Sequence, residues 1–136
     1  MTRSLSLAYT VIFVPDVAAA VDFYERAFGL SRRMVTPAFA QMETGAVALA
    51  FGAESNERKE LPAGFEFHEN RPEGTAAGIQ ISFTCEAVQA AWDHAVSEGA
   101  TPVVAPQRMP WGQTVSRVRD LNGVLVSLVS PFRPQA

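Results

Sequence analysis

Alternation of apolar and polar residues, twice giving way to a helical stripe, is the first regularity in this chain. From Leu5 to Val14 the pattern predicts a strand, with Tyr9, Val11 and Phe13 on one face and Thr10, Ile12 and Val14 on the other. Pro15-Asp16 ends it, and Asp16 can accept hydrogen bonds from the free amides of a following helix. Val17, Val21, Tyr24 and Phe28 recur at spacings of three and four, the mark of one buried stripe. Gly29 can then close the helix in the left-handed conformation. Short strands follow around Arg32–Val35 and Phe39–Thr44, and Gly45 separates them from another at Ala46–Phe51.

The order then repeats. Ile79 to Cys85 alternates as a strand, and Glu86 to Gly99 is helical with Val88, Ala91, Trp92 and Ala95 on its stripe. The interval from Asp16 to Gly29 equals that from Glu86 to Gly99. Val103–Ala105 is a short strand, and the Pro106–Trp111 loop leads into a hairpin. Its strands are Gln113–Arg119 and Val124–Val129, joined by Asp120-Leu121-Asn122-Gly123. In the last strand Val124, Val126 and Leu128 share one face, while Ser127 interrupts the other between Leu125 and Val129. Both halves read β-α-β-β-β, which predicts an α+β fold of two βαβββ modules within a single domain, residues 1–136. Module one covers about 5–52 and module two about 76–130. Between them, about 53–75 reads as a solvated linker rich in Glu, Arg, Asn, Pro and Gly. Phe65 and Phe67 are its exceptions, since aromatics at strand spacing usually pack on something.

Composition narrows the class. Hydrophobic residues are 48% and charged residues 18% of the chain, a globular rather than disordered balance. A net charge of -3 argues against a nucleic-acid or anionic-membrane surface. No apolar run approaches the roughly 20 residues of a spanning helix, and Pro15-Asp16 breaks the N-terminal apolar run where a leader would be cleaved. Cys85 is alone, so no intrachain disulfide can form. The expectation is a soluble, cytoplasmic protein.

The chain resembles the vicinal oxygen chelate superfamily, which includes glyoxalase I, extradiol dioxygenases and bleomycin-resistance proteins. The residues that carry the likeness are Asp16 with Phe23-Tyr24 and Gly29-Leu30, then Glu86 to Gly99-Ala100, Trp111-Gly112, and Asp120 with Asn122-Gly123. The resemblance implies curved mixed sheets that form an open cup, frequent homodimerisation, and, in catalytic members, a divalent metal held by His, Gln or Glu. The positions that match the metal ligands are Tyr9, Leu49, Gln80 and Ser127. Leu49 has no donor, Tyr9 and neutral Ser127 are poor ligands, and Gln80 would stand alone. No metal and no cofactor are therefore expected. The same positions read as the floor of an apolar pocket with two hydroxyls and an amide as anchors.

Trp111 offers a stacking face at the mouth of that pocket or merely caps the sheet edge. Arg117 and Arg119 share one face of their strand and can pair with acidic side chains or hold an anion, and Phe39, Met42 and Phe51 can add apolar wall. The candidate ligand-binding set is thus Tyr9, Leu49, Phe51, Gln80, Trp111, Arg117 and Ser127. His94 reads as solvated surface and His68 as a linker residue, with a base at the cup mouth the alternative for His68. The leading expectation is a metal-independent protein of the bleomycin-resistance-like branch that sequesters an aromatic or amphipathic small molecule. The alternatives are a metal-dependent lyase, isomerase or dioxygenase with ligands shifted to residues such as Gln80, His68 or Glu66, and a dimer module without a ligand.

Overall fold

A computed structural model describes residues 4–132. Residues up to Glu25 together with Gly29–Glu69 form one compact unit, and Arg26–Phe28 with the residues from Asn70 onward form another. The boundary at Glu69 falls inside the stretch expected to be a linker. Each unit carries one four-stranded mixed sheet, so the fold is α+β and built from two βαβββ modules.

In the first unit the elements are β1 (Tyr9–Val14), α1 (Val17–Phe28, in this unit as far as Glu25), β2 (Ser31–Val35), β3 (Phe39–Glu43), β4 (Ala48–Ala53) and α2 (Glu54–Glu60). The strand order is β1-β4-β3-β2, with β1 and β4 parallel and the other pairs antiparallel. Asp16 caps α1 by accepting a hydrogen bond from the Ala19 amide at 3.1 Å. Gly29 ends it at φ 69°, where its amide reaches the Glu25 carbonyl. The stripe of Val17, Ala20, Val21, Phe23 and Tyr24 is buried, as are Ile12, Val14, Ala40, Met42, Leu49 and Phe51 of the sheet. The Tyr24 and Phe51 rings meet at 4.9 Å, which sets which face of the sheet lies under the helix. Each fully buried large side chain of this kind contributes about 1.5–3 kcal/mol. Glu25 and Arg32 tie α1 to β2 through two hydrogen bonds of 2.8 and 2.7 Å.

The second unit contains β5 (Gln80–Thr84), α3 (Val88–Ser97), β6 (Thr101–Arg108), β7 (Thr114–Arg119) and β8 (Leu125–Val129). Here the order is β5-β8-β7-β6, with β5 and β8 parallel. α3 packs across β6, β7 and β8 on the face that buries Val118, Val126 and Leu128. The expected hairpin forms: the Asp120 carboxylate accepts from the amides of Asn122 at 2.8 Å and Val124 at 2.9 Å, and Gly123 takes φ 88°.

Three elements differ from expectation. β1 begins at Tyr9, so the exposed Leu5 and Leu7 lie before it. β6 runs eight residues, where Val103–Ala105 had been expected. It is an edge strand whose register shifts between Pro102 and Val104 and again between Val104 and Gln107, which is how it accommodates Pro102 and Pro106. The linker contains α2, a seven-residue helix of charged and polar residues with no apolar stripe to announce it. Its charges do suit a helix, with Glu54 and Glu57 in the first turn and Arg58 and Lys59 in the last. Among the described residues no helix is long and apolar enough to cross a membrane.

Candidate functional site

Each sheet has one face under its helix and one face turned away from it. Strand alternation and register assign every residue to one or the other.

On the first sheet, Tyr9, Val11 and Phe13 of β1 pair with Ala48, Ala50 and Gly52 of β4, and Gln41 and Phe39 of β3 pair with Ala50 and Gly52. This is the open face. Small buried residues occupy the central strand between aromatics, and the Tyr9 and Phe39 rings meet edge-on at 6.0 Å. Two linker elements lie over it. Phe67 packs edge-on against Phe13 at 4.8 Å, with the Arg58 guanidinium 4.8 Å above the Phe67 ring and Arg58 in turn paired to Glu69. The Glu57 carboxylate occupies the space a side chain at Gly52 would fill. Burial, with Glu60 nearby, holds the Glu57 carboxyl above the usual range. The aromatic spacing in the linker is thus explained for Phe67, whereas Phe65 stays exposed.

Leu49 and Phe51 belong to the other face. Phe51 lies against Tyr24 and Leu49 pairs with the fully buried Met42, so these three residues are core beneath α1 rather than pocket wall. The open-face positions of β4 are Ala48, Ala50 and Gly52, one residue out of step with the expected ones. A one-residue difference along a strand reverses the face.

On the second sheet, register places Ser82, Ser127, Arg117 and Val104 in one row across the four strands. Gln80, Leu125 and Arg119 form the row on one side, and Thr84, Val129 and Val115 the row on the other. Gln80, Arg117 and Ser127 therefore share one face of this sheet, the one turned away from α3. Arg117 donates from Nε to Gln80 Oε1 at 2.9 Å, and Gln80 Nε2 donates to Ser82 Oγ at 3.2 Å. Ser127 is buried, and its hydroxyl donates to the Ser116 carbonyl at 2.8 Å. Arg119 is fully engaged by backbone: it donates to the carbonyls of Gly123, Pro72, Arg71 and Gly74 at 2.8–3.3 Å, which pins the end of the linker to the hairpin. Arg119, read from the sequence as pairing with an acid or holding an anion beside Arg117, is instead taken up by these carbonyls. Ser82 was not among the expected residues; strand pairing brings it in, and pairing is not written in local pattern.

Trp111 stands in the loop before β7 and is 48% exposed. Its indole N–H donates to Gln113 Oε1 at 2.9 Å, and Gln113 Nε2 donates to the Ser130 carbonyl, so the ring is held at one end of the sheet. Trp92 is half-buried and donates to the Arg117 carbonyl at 3.2 Å. His94 is exposed with a ring nitrogen 2.7 Å from the Arg26 carbonyl oxygen, and His68 is exposed in the linker. Cys85 is half-buried, and burial with Glu86 beside it pushes its thiol up, away from the reactive thiolate.

These donors do not suit a divalent metal at the position the resemblance implies. Leu49 points under the helix, the Gln80 oxygen already accepts from a cation, and the Ser127 hydroxyl is turned to a carbonyl. Among the described residues no three His, Cys, Asp or Glu side chains come together as a ligand group.

The profile of the Glyoxalase/Bleomycin resistance protein/Dioxygenase superfamily matches residues 6–128, and the chain belongs to that superfamily. Among solved structures it is similar to a glyoxalase-related enzyme from Fulvimarina pelagi, at 17% identity and TM-score 0.79 over 93% of this chain and 88% of that one. A glyoxalase/bleomycin resistance protein/dioxygenase family enzyme from Burkholderia phytofirmans PsJN is 23% identical, with TM-score 0.75 over 93% and 98% of the two chains. A glyoxalase/bleomycin resistance protein/dioxygenase from Nocardioides is 18% identical, with TM-score 0.72 over 100% and 92%. No curated protein matches the chain. At these identities the structural likeness establishes the fold.

Proposed function

We propose that this chain is a metal-independent binding protein of the superfamily that takes up an aromatic or amphipathic small molecule on the open face of its second sheet. The observation that carries this reading is the use of Gln80 and Ser127 within the protein: Gln80 Oε1 accepts from Arg117 and the Ser127 hydroxyl donates to Ser116. Neither is presented as a ligand to a metal. Around them Leu125, Val115 and Val129 are half-buried apolar residues, and Gln80, Ser82 and Thr84 are exposed polar ones, a mixture suited to an organic ligand. Trp111 supplies an aromatic surface at the end of the same sheet. The half-buried Cys85, with its raised thiol, is compatible with the reducing cytoplasm we assign to it.

We also propose a homodimer. Ile79, Leu5 and Leu7 are 67–82% exposed, and β2 and β6 end their sheets with an unpaired edge, both features that association of two copies would cover. Sedimentation should give twice the chain mass, and a clean monomer at micromolar concentration rejects the dimer.

The binding reading is tested by a chemically broad ligand screen on wild type, Ser127→Trp and Trp111→Ala. Ser127→Trp fills the floor of the face and should abolish binding, with some loss of stability through overpacking. Trp111→Ala should weaken it by roughly 1–3 kcal/mol with the fold intact. Hits that bind all three proteins equally well would sink the assignment of this face.

A further inference from the structure

We infer that Arg117 is an anion-binding residue and that the ligand of the second sheet is a planar, partly apolar carboxylic acid. This rests on the proposal that the open face of that sheet is the binding face, and it adds the chemical class.

Arg117 differs from the other arginines of the described chain. Arg26, Arg32, Arg33 and Arg58 each face a glutamate, Arg71 donates to the Asn70 carbonyl, Arg119 is consumed by four backbone carbonyls, and Arg108 lies exposed to water on the edge strand β6. Arg117 sits half-buried in the middle of a sheet, and among the described residues no carboxylate pairs with it. Its side chain is nevertheless held in place. The Nε–H bond to Gln80 Oε1 fixes the plane of the group, Gln80 is itself braced on Ser82, and both terminal Nη amines remain for another acceptor. A guanidinium pinned through Nε presents those amines as a pair, the geometry that grips a carboxylate with two hydrogen bonds.

The surroundings match one sign of charge. The cross-strand rows that flank Arg117 hold Gln80, Leu125 and Arg119 on one side and Thr84, Val129 and Val115 on the other, with Ser82 and Ser127 in its own row. None of these is acidic, on a chain whose net charge is -3. An anion meets no repulsion from this face, and the apolar residues next to the arginine accept the body of the molecule.

The test is calorimetric titration with 2-naphthoate and its uncharged isostere 2-naphthamide, on wild type, Arg117→Gln and Arg117→Lys. Wild type should bind the acid at least tenfold more tightly than the amide at low salt, and the advantage should shrink as salt is added. Arg117→Gln should lower acid affinity at least tenfold and remove the preference for the acid over the amide; Arg117→Lys should retain part of that preference, because charge survives but the two-point grip does not. Circular dichroism and thermal melting confirm that each variant is folded. Equal binding of acid and amide by wild type overturns the carboxylate assignment but leaves the binding face standing. An acid preference that persists in Arg117→Gln overturns the role of Arg117. Failure of the acid to bind at all overturns the ligand class, and only loss of every hit in the broad screen removes the binding face as well.

Discussion

The hydroxyl of Ser127 donates to the carbonyl oxygen of Ser116, 2.8 Å away on the neighbouring strand, while the Ser116 hydroxyl reaches back to the Leu128 carbonyl at the same distance. Two buried serines on opposite faces of the sheet thus stitch β7 to β8 beyond the backbone ladder. Ser127→Ala should therefore cost about 1 kcal/mol, the usual net worth of one such bond. Urea unfolding should show a lower midpoint with an unchanged slope. A loss of several kcal/mol would mean that the hydroxyl holds more than this single partner.

The same arrangement predicts indifference to metals. Zinc, nickel or manganese bound only by the folded chain would raise its melting temperature with concentration. No rise is expected for wild type or for Gln80→Ala, and chelators should leave the melting curve where it was. A concentration-dependent stabilisation that disappears in Gln80→Ala would restore a metal to this face.

Gly123 makes the hairpin turn at φ 88°, and a Cβ there would run into the Arg71 carbonyl and the Arg119 guanidinium. The strained backbone conformation and the collision both oppose Gly123→Ala, and the obstructing atom is main chain that cannot simply swing aside. A loss of about 1–3 kcal/mol from the conformation alone, with more from the collision, should be visible in thermal melting. Near-wild-type stability would show that the linker end is not fastened to the turn.

Glu57 gives a pH signature. Burial raises its folded-state pKa above the ordinary 4.5, so the folded chain holds this proton more tightly than the unfolded chain does. Its ionisation therefore destabilises the fold as pH rises from about 4.5 through the raised value, and the effect is complete above it. Glu57→Gln should be more stable than wild type at pH 7, with the difference vanishing below pH 4.5, in melts taken across that range. A variant destabilised at neutral pH would mean that the carboxylate has a favourable partner over Gly52.

Local chemistry was easy to read wherever a residue acts on its immediate neighbours. Asp16 and Gly29 bound α1, and Asp120-Leu121-Asn122-Gly123 makes the turn, because caps and turns join atoms a few residues apart. α2 is not legible in the sequence because a short charged helix held by Glu57 over Gly52 has no periodic stripe of its own. β6 was cut short because two prolines discourage a strand, and only its place at the sheet edge lets it tolerate them. The face of β4 is not legible in Ala48–Ala53, since the strand has no polar residue and alternation carries no contrast there.

From sequence alone came the two βαβββ modules, the hairpin and the presence of Gln80, Arg117 and Ser127 on strands that could meet. These follow from periodicity, turn chemistry and spacing, all properties of contiguous residues. Only tertiary structure decided what those side chains do. Strand pairing sets Arg117 opposite Ser127 and within reach of Gln80, and it places Leu49 and Phe51 under α1. Hydrogen bonds between residues 37 positions apart in the chain, such as that from Arg117 to Gln80, depend on register. Register is settled by the burial of whole faces at once, so no local pattern could have chosen it.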